Sequence, residues 1–237
     1  MMNISARKLS MALAMTLSMT ALQGIAEEQS SASTTTTSTP VYRPPLRGAP
    51  ATRVGGASRG APDAELVLSV IAPESTGLTS RAQPTLYWYI SKALSRPMEF
   101  TLNDEQSIKP LVDMKVPVAQ PGIHALKLNY ALKPEVEYQW TIAAVADPNQ
   151  RASDTIAGGT IKYVQLPATL AAQIKSATPQ QQPFLYAQEG FWYDALTTLS
   201  EQIDAQPSNH NVREQRAALL EQVGLKSAAE YDRGAKP

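Results

Sequence analysis

The sequence contains no cysteine. That excludes disulfides, thiol nucleophiles and zinc held by thiolates, and it leaves the fold to be held by its core alone. Histidine is scarce as well: His124 and His210 are the only two. With so few imidazoles, so far apart, no transition-metal centre is expected. Neither sign of charge is in excess, since 21 Lys and Arg stand against 21 Asp and Glu. The balance gives no global attraction to nucleic acid or to an acidic lipid surface, and neither partner is expected. Long apolar runs are missing except close to the N-terminus.

That N-terminal run reads as a secretory signal. Arg7 and Lys8 supply a positive start, Leu9 to Leu22 form a short apolar core, and Gly24-Ile25-Ala26 offers small residues for cleavage after Ala26. The apolar core holds Ser10, Thr16, Ser18 and Thr20 and is too short for the roughly 20 apolar residues of a membrane span. We therefore expect residues 1–26 to be a signal peptide, no membrane span after its removal, and a periplasmic or secreted location. Taking 26 from 237 residues leaves 211, with 19 basic residues once Arg7 and Lys8 are gone, enough length for one or two domains with real cores.

Residues 27–62 have almost no large apolar side chains, so they cannot bury enough surface to offset ordering entropy. We expect a disordered Ser/Thr spacer to residue 39, then an Arg, Gly and Pro-rich arm that orders only against something else. From residue 63 to 166 short period-two runs follow one another between Pro, Gly, Asn and Asp. In the clearest, Val136, Tyr138, Trp140, Ile142 and Ala144 share one face and Glu137, Gln139 and Thr141 the other. Similar alternation marks Leu86, Trp88 and Ile90, and Met98, Phe100 and Leu102; further candidates are Glu65 to Ala72, Leu111 to Val116, Ile123 to Tyr130 and Thr155 to Val164. Seven strands in about 100 residues is the count of an immunoglobulin-like β-sandwich. From about Pro167 to the end the apolar spacing turns helical. The expected fold is thus mainly β, an immunoglobulin or fibronectin III-like sandwich followed by a short α-helical tail.

Three resemblances refine this. Leu132-x-Pro134-x-x-x-Tyr138 resembles the tyrosine corner of fibronectin type III domains. Gly190 and Gly224, and Ala195 and Ala229, each stand 34 residues apart, the tetratricopeptide period, and Gly190-x-Trp192-x-x-Ala195-Leu196-x-x-Leu199 with Pro207 resembles the second helix of such a repeat. Finally, an ordered set of motifs runs from Pro44-Pro45-x-Arg47-Gly48 and Arg53-Val54-Gly55-Gly56-x-x-Arg59-Gly60, through Pro84-Thr85-Leu86-Tyr87-Trp88-Tyr89 and Tyr138-x-Trp140, to Asp147-Pro148-x-x-Arg151. It resembles the bacterial family known as domain of unknown function 928 over about Tyr42 to Val164. The resemblance implies no established activity. It does imply cysteines in relatives just after the Arg-Gly pair and before the Asp-Pro pair, where this chain has Ala61 and Ala146.

Candidate chemistry is thin. Gly56-Ala57-Ser58-Arg59-Gly60 matches the G-x-S-x-G elbow, but no apolar strand precedes it and Pro62 follows, so a flexible Gly-rich loop explains it better. His124 falls in phase with Leu126 and Leu128 of a strand, and His210 stands in a helix-capping stretch. Asp104, Glu105, Asp147 and Asp154 could converge on calcium or form an acid pair, yet read more simply as turns, with Arg151 joining Asp147 and Asp154. Arg43, Arg47, Arg53 and Arg59 place four cations on a glycine-rich backbone; they either contact an anionic or protein partner or dock the arm on the chain's own carboxylates. Tyr87 and Tyr89, opposite Trp88, either stack on sugar rings or pack under the tail. Trp192 and Tyr193 belong to a tail that has too few repeats to stand alone and must pack on the sandwich or on a partner.

The sequence thus calls for no cofactor, no metal and no catalytic set. The expected role is a non-catalytic interaction module that meets an envelope protein through its arm or tail; the alternative is a carbohydrate-binding or carbohydrate-processing envelope protein. The intact mass of the exported protein should correspond to a chain beginning at or near Glu27; a mass that retains residues 1–26 removes the signal-peptide reading.

Overall fold

The computed structural model describes residues 38–45, 53, 66–95, 97–117 and 120–235, all inside one compact unit, Thr36–Pro237. The expected signal segment, residues 27–37 of the spacer, Arg47, Arg59 and the Gly56 to Gly60 loop lie outside the described residues.

Among the described residues eight strands come first: β1 (Leu68–Val70), β2 (Gly77–Thr79), β3 (Thr85–Ile90), β4 (Met98–Asp104), β5 (Val112–Val116), β6 (Gly122–Lys127), β7 (Glu137–Ala144) and β8 (Thr155–Tyr163). They form two sheets, β1-β3-β6 and β2-β8-β7-β4-β5. Every pairing is antiparallel except β2 with β8. Alternation decides which side chains go inward. On β7 Tyr138, Trp140 and Ile142 are fully buried, on β4 Met98, Phe100 and Leu102, and on β3 Leu86, Trp88 and Ile90. These fill the space between the sheets. β8 crosses β1 closely at Gly159, where an added Cβ would lie 2.7 Å from the Ala72 Cβ; only glycine allows that approach. The Tyr138 hydroxyl accepts a hydrogen bond from Lys133 N at 3.0 Å, which pins the turn before β7.

Five α-helices follow among the described residues: α1 (Ala168–Ser176), α2 (Gln182–Gln188), α3 (Trp192–Ala205), α4 (His210–Gln222) and α5 (Lys226–Gly234). The turns between α2 and α3 and between α4 and α5 are the same. Gly190 and Gly224 sit at φ of 80° and 75°, where a Cβ is penalised. Around them Phe191 N donates to Tyr186 O and Gly190 N to Ala187 O, while Leu225 N donates to Leu220 O and Gly224 N to Glu221 O. Each is a Schellman closure, which satisfies the last carbonyls of the preceding helix.

The helices are not an appendage. α3 packs on β2 and β3, and α5 on β6, so Tyr87 and Tyr89 are buried on one face of β3 as Trp88 is on the other. β3 therefore lies between the core and the helices and shows no exposed face. In α3 every residue from Trp192 to Ser200 is buried.

Tyr138→Phe should keep the ring and lose only the acceptor for Lys133 N, at a cost of about 1 kcal/mol. Urea unfolding followed by tryptophan fluorescence measures it, and an unchanged midpoint would mean that the turn does not depend on this bond.

Candidate functional site

Helix α3 enters the sheets with three consecutive side chains. The Trp192 indole Nε1 donates to Ile71 O at 3.1 Å, and its ring meets Tyr42 edge-on with centroids 4.9 Å apart. The Tyr193 hydroxyl accepts from Trp140 Nε1 at 3.0 Å and donates to Thr160 O at 2.9 Å. Its ring lies against Gly77, where a Cβ would come within 2.7 Å of it. The Asp194 carboxylate accepts from Ser80 N at 2.8 Å and Ser80 Oγ at 2.6 Å, with Arg81 Nε 3.7 Å away. All three side chains are sealed from solvent, and each polar atom has its partner. Burial pushes the Asp194 carboxyl above the usual carboxylate range, opposed by the Ser80 hydrogen bonds and Arg81.

Between β6, β3 and the helices a cleft of about 280 Å³ opens, lined by Tyr87, Ala125, Ser200, Asp204, Arg213 and Arg216 among others. Arg216 holds Asp232 of α5 through two bonds of 2.7 Å and Ser200 of α3 at 2.9 Å. Arg213, one turn earlier, reaches the same carboxylate at 3.4 Å and the Pro207 carbonyl at 3.2 Å. Two guanidiniums thus share one carboxylate, Asp232, and a second carboxylate, Asp204, stands exposed at the cleft wall, so the formal charges there balance. Burial raises the Tyr87 phenol above its ordinary value, opposed by hydrogen bonding to Ser200 and Thr197. Arginine stays protonated at any working pH, so both guanidiniums keep their charge and their N–H donors as pH changes. Among the described residues no cluster of His, Asp and Glu could hold a metal ion, and no helix is long and apolar enough to cross a membrane.

The residues expected to face a partner are elsewhere. Arg53 turns inward and donates to Ala72 O at 3.0 Å and Val223 O at 2.7 Å. It docks the arm on the body through carbonyls, not the carboxylates expected. Arg43 is exposed, with its backbone N bonded to Ala187 O; Arg47 and Arg59 lie outside the described residues. Tyr87, Tyr89, Trp192 and Tyr193 are all buried, so the docking surface they form is internal, because the helices cover it. His124 stacks near Trp88, ring centroids 5.6 Å apart, and Nε2 lies 2.9 Å from Gln120 O; His210 opens α4. Asp104 and Asp147 accept from backbone N–H groups two residues on, as turn-forming Asp does. Arg151 bridges Asp154 and Glu99, not Asp147, because β4 brings Glu99 alongside. Arg213 and Arg216 were missed. The available signal was Arg216 itself, an arginine four residues after Val212 and four before Leu220 on the apolar face of α4, a place that demands a buried partner.

Asp194→Ala should cost about 3 kcal/mol or more, since Ser80 loses its acceptor in a buried seam. The pH dependence has a definite sign. A carboxyl whose folded pKa is raised contributes stability present below its unfolded value and lost as pH rises through the folded one. Wild type should therefore gain on the non-titrating Asp194→Asn as pH falls from neutral to mildly acidic, read as the difference in denaturation midpoints. A difference that shrinks on acidification would mean that the Ser80 and Arg81 donors outweigh burial.

A search of curated proteins finds no match to this chain. A family model does match, over residues 54–232. It therefore runs well past Val164, where the resemblance in the sequence motifs ends, and takes in α1 to α5 almost whole. The chain belongs to the family described as Domain of Unknown Function (DUF928).

Proposed function

We propose that this chain is a non-catalytic exported interaction module that works in the periplasm or outside the cell, and that its cleft between β6 and the helices receives an acceptor-rich side chain of an envelope protein. The observation that carries this reading is the pair Arg213 and Arg216, two guanidiniums on one carboxylate at the wall of a cleft. The helical wall of the cleft is tied together by Arg216, which joins α4 to Ser200 of α3 and Asp232 of α5, so a partner meets a preformed surface. Export rests on the signal-like residues 1–26.

In finer terms we read the two sheets as an immunoglobulin or fibronectin III-like sandwich, supported by the Tyr138 to Lys133 bond, which has the form of a tyrosine corner. We read α2 to α5 as two tetratricopeptide-like hairpins, supported by the matching glycine turns 34 residues apart and by Ala195 and Ala229, both fully buried. Carbohydrate binding finds no such support, since the Tyr87 and Tyr89 rings proposed to stack on sugars are covered.

Crosslinking in the periplasm followed by pull-down and mass spectrometry tests the module. Ala125 is exposed on the β6 wall of the cleft, so Ala125→Glu adds a competing carboxylate without removing a buried contact. It should lower capture of a specific partner at least tenfold while leaving the melt unchanged. Equal capture by both proteins, or no captured protein at all, overturns the cleft as the binding site.

A further inference from the structure

Residues 38–45 form no helix or strand, yet they are held as an extended ligand would be. The Gln222 side chain clamps the main chain of the segment twice. Its Oε1 accepts from Tyr42 N at 2.9 Å and its Nε2 donates to Pro40 O at 2.8 Å. Arg43 N donates to Ala187 O at 3.0 Å, and Gln215 Nε2 donates to Ser38 O at 3.2 Å. Two alternate side chains, Pro40 and Tyr42, are buried while Val41 and Arg43 point outward. Tyr42 packs on Trp192. Gly190 leaves the seat open for the backbone, since a Cβ there would lie 3.1 Å from Arg43 O. Main-chain bonds with pockets for alternate side chains are the general means by which proteins recognise an extended peptide.

A cavity of about 430 Å³ lies beside the segment, lined among the described residues by Tyr42, Pro44, Pro73, Glu74, Ser75 and Gln222, with others. Tyr42 and Ser75 both line it, and among the described residues the buried Tyr42 hydroxyl has no partner that meets hydrogen-bonding geometry. A seat that reads backbone, binds one aromatic and leaves that aromatic's hydroxyl unpaired is not specific to the segment now in it.

We propose that residues 38–45 are a built-in occupant of a peptide seat beside the Gly190 and Gly224 turns, and that the seat takes in exchange an extended Pro-x-Tyr segment of a partner protein. This rests on the reading of the chain as an interaction module and names a second contact for it. The tethered arm competes at an effective concentration on the order of millimolar, so it sets the threshold a partner must exceed.

The probe is a fluorescein-labelled peptide of sequence Ser38 to Pro45, titrated by anisotropy into the full chain. Two variants loosen the resident arm: Tyr42→Ala removes its buried anchor, and Arg43→Pro removes the N–H bonded to Ala187 O along with an exposed side chain, while leaving Tyr42 in place. At least one should remain folded by far-UV circular dichroism and bind the peptide at least tenfold more tightly than wild type. Adding Gln222→Ala to that variant should lose the gain. Lack of that gain in every variant that stays folded overturns the proposal, and so does unfolding of both, because an exchangeable occupant cannot be one that the fold requires. Capture lost through Ala125→Glu with no peptide binding would sink this seat and leave the cleft standing; the reverse result would do the opposite.

Discussion

Trp192, Tyr193 and Asp194 at the start of α3 reach three different parts of the β layer: the carbonyl of Ile71 after β1, Trp140 and Thr160 on β7 and β8, and Ser80 after β2. Burying an indole, a phenol and a carboxylate together is favourable only because each polar atom has a partner, since any left unpaired in this seam would cost about 1–3 kcal/mol. The requirement runs both ways. Gly77 must lack a side chain to admit Tyr193, and β2, three residues long, is held at the edge of its sheet by parallel pairing with β8 and by packing against α3.

Once α3 is seated, the other helices have little freedom. α4 and α5 are tied to it by Arg216, which spans Ser200 and Asp232. A buried pair of this kind adds little net stability relative to apolar packing, but removing one partner is expensive. It therefore acts chiefly to hold one arrangement of three helices, and that arrangement forms one wall of the cleft. The arm depends on the same placement: Tyr42 rests on Trp192, and Arg53 joins the carbonyl of Ala72 after β1 to that of Val223 after α4.

Much of the β layer was legible because half-buried strands write their burial as alternation. Tyr138, Trp140 and Ile142 on β7, and Met98, Phe100 and Leu102 on β4, are buried as their phase requires. β2 was invisible, because three residues hold barely one period. β3 was legible as a strand, and packing of Tyr87 and Tyr89 under the tail was one of the two readings of its second face; the tyrosines are buried there, with α3 packed on β3 and Tyr231 of α5 against Tyr89. The helical hairpins showed through their matching glycines, whose positive φ is a local demand of the backbone. The cleft was not legible, since Tyr87, Ala125, Ser200 and Arg213 come from separate elements and no local pattern links them.

The sequence alone thus determined the absence of thiol chemistry, the placement of most strands and helices, the paired glycine turns and the polarity of residues 27–62, because each follows from composition or from contacts within a few residues. Tertiary structure decided which faces are covered, which carboxylate each arginine meets and where the arm lies. Those outcomes depend on pairings such as Ser80 with Asp194 and Tyr42 with Gln222, 114 and 180 residues apart, and a hydrogen bond between groups so distant leaves no periodicity in the chain that makes it.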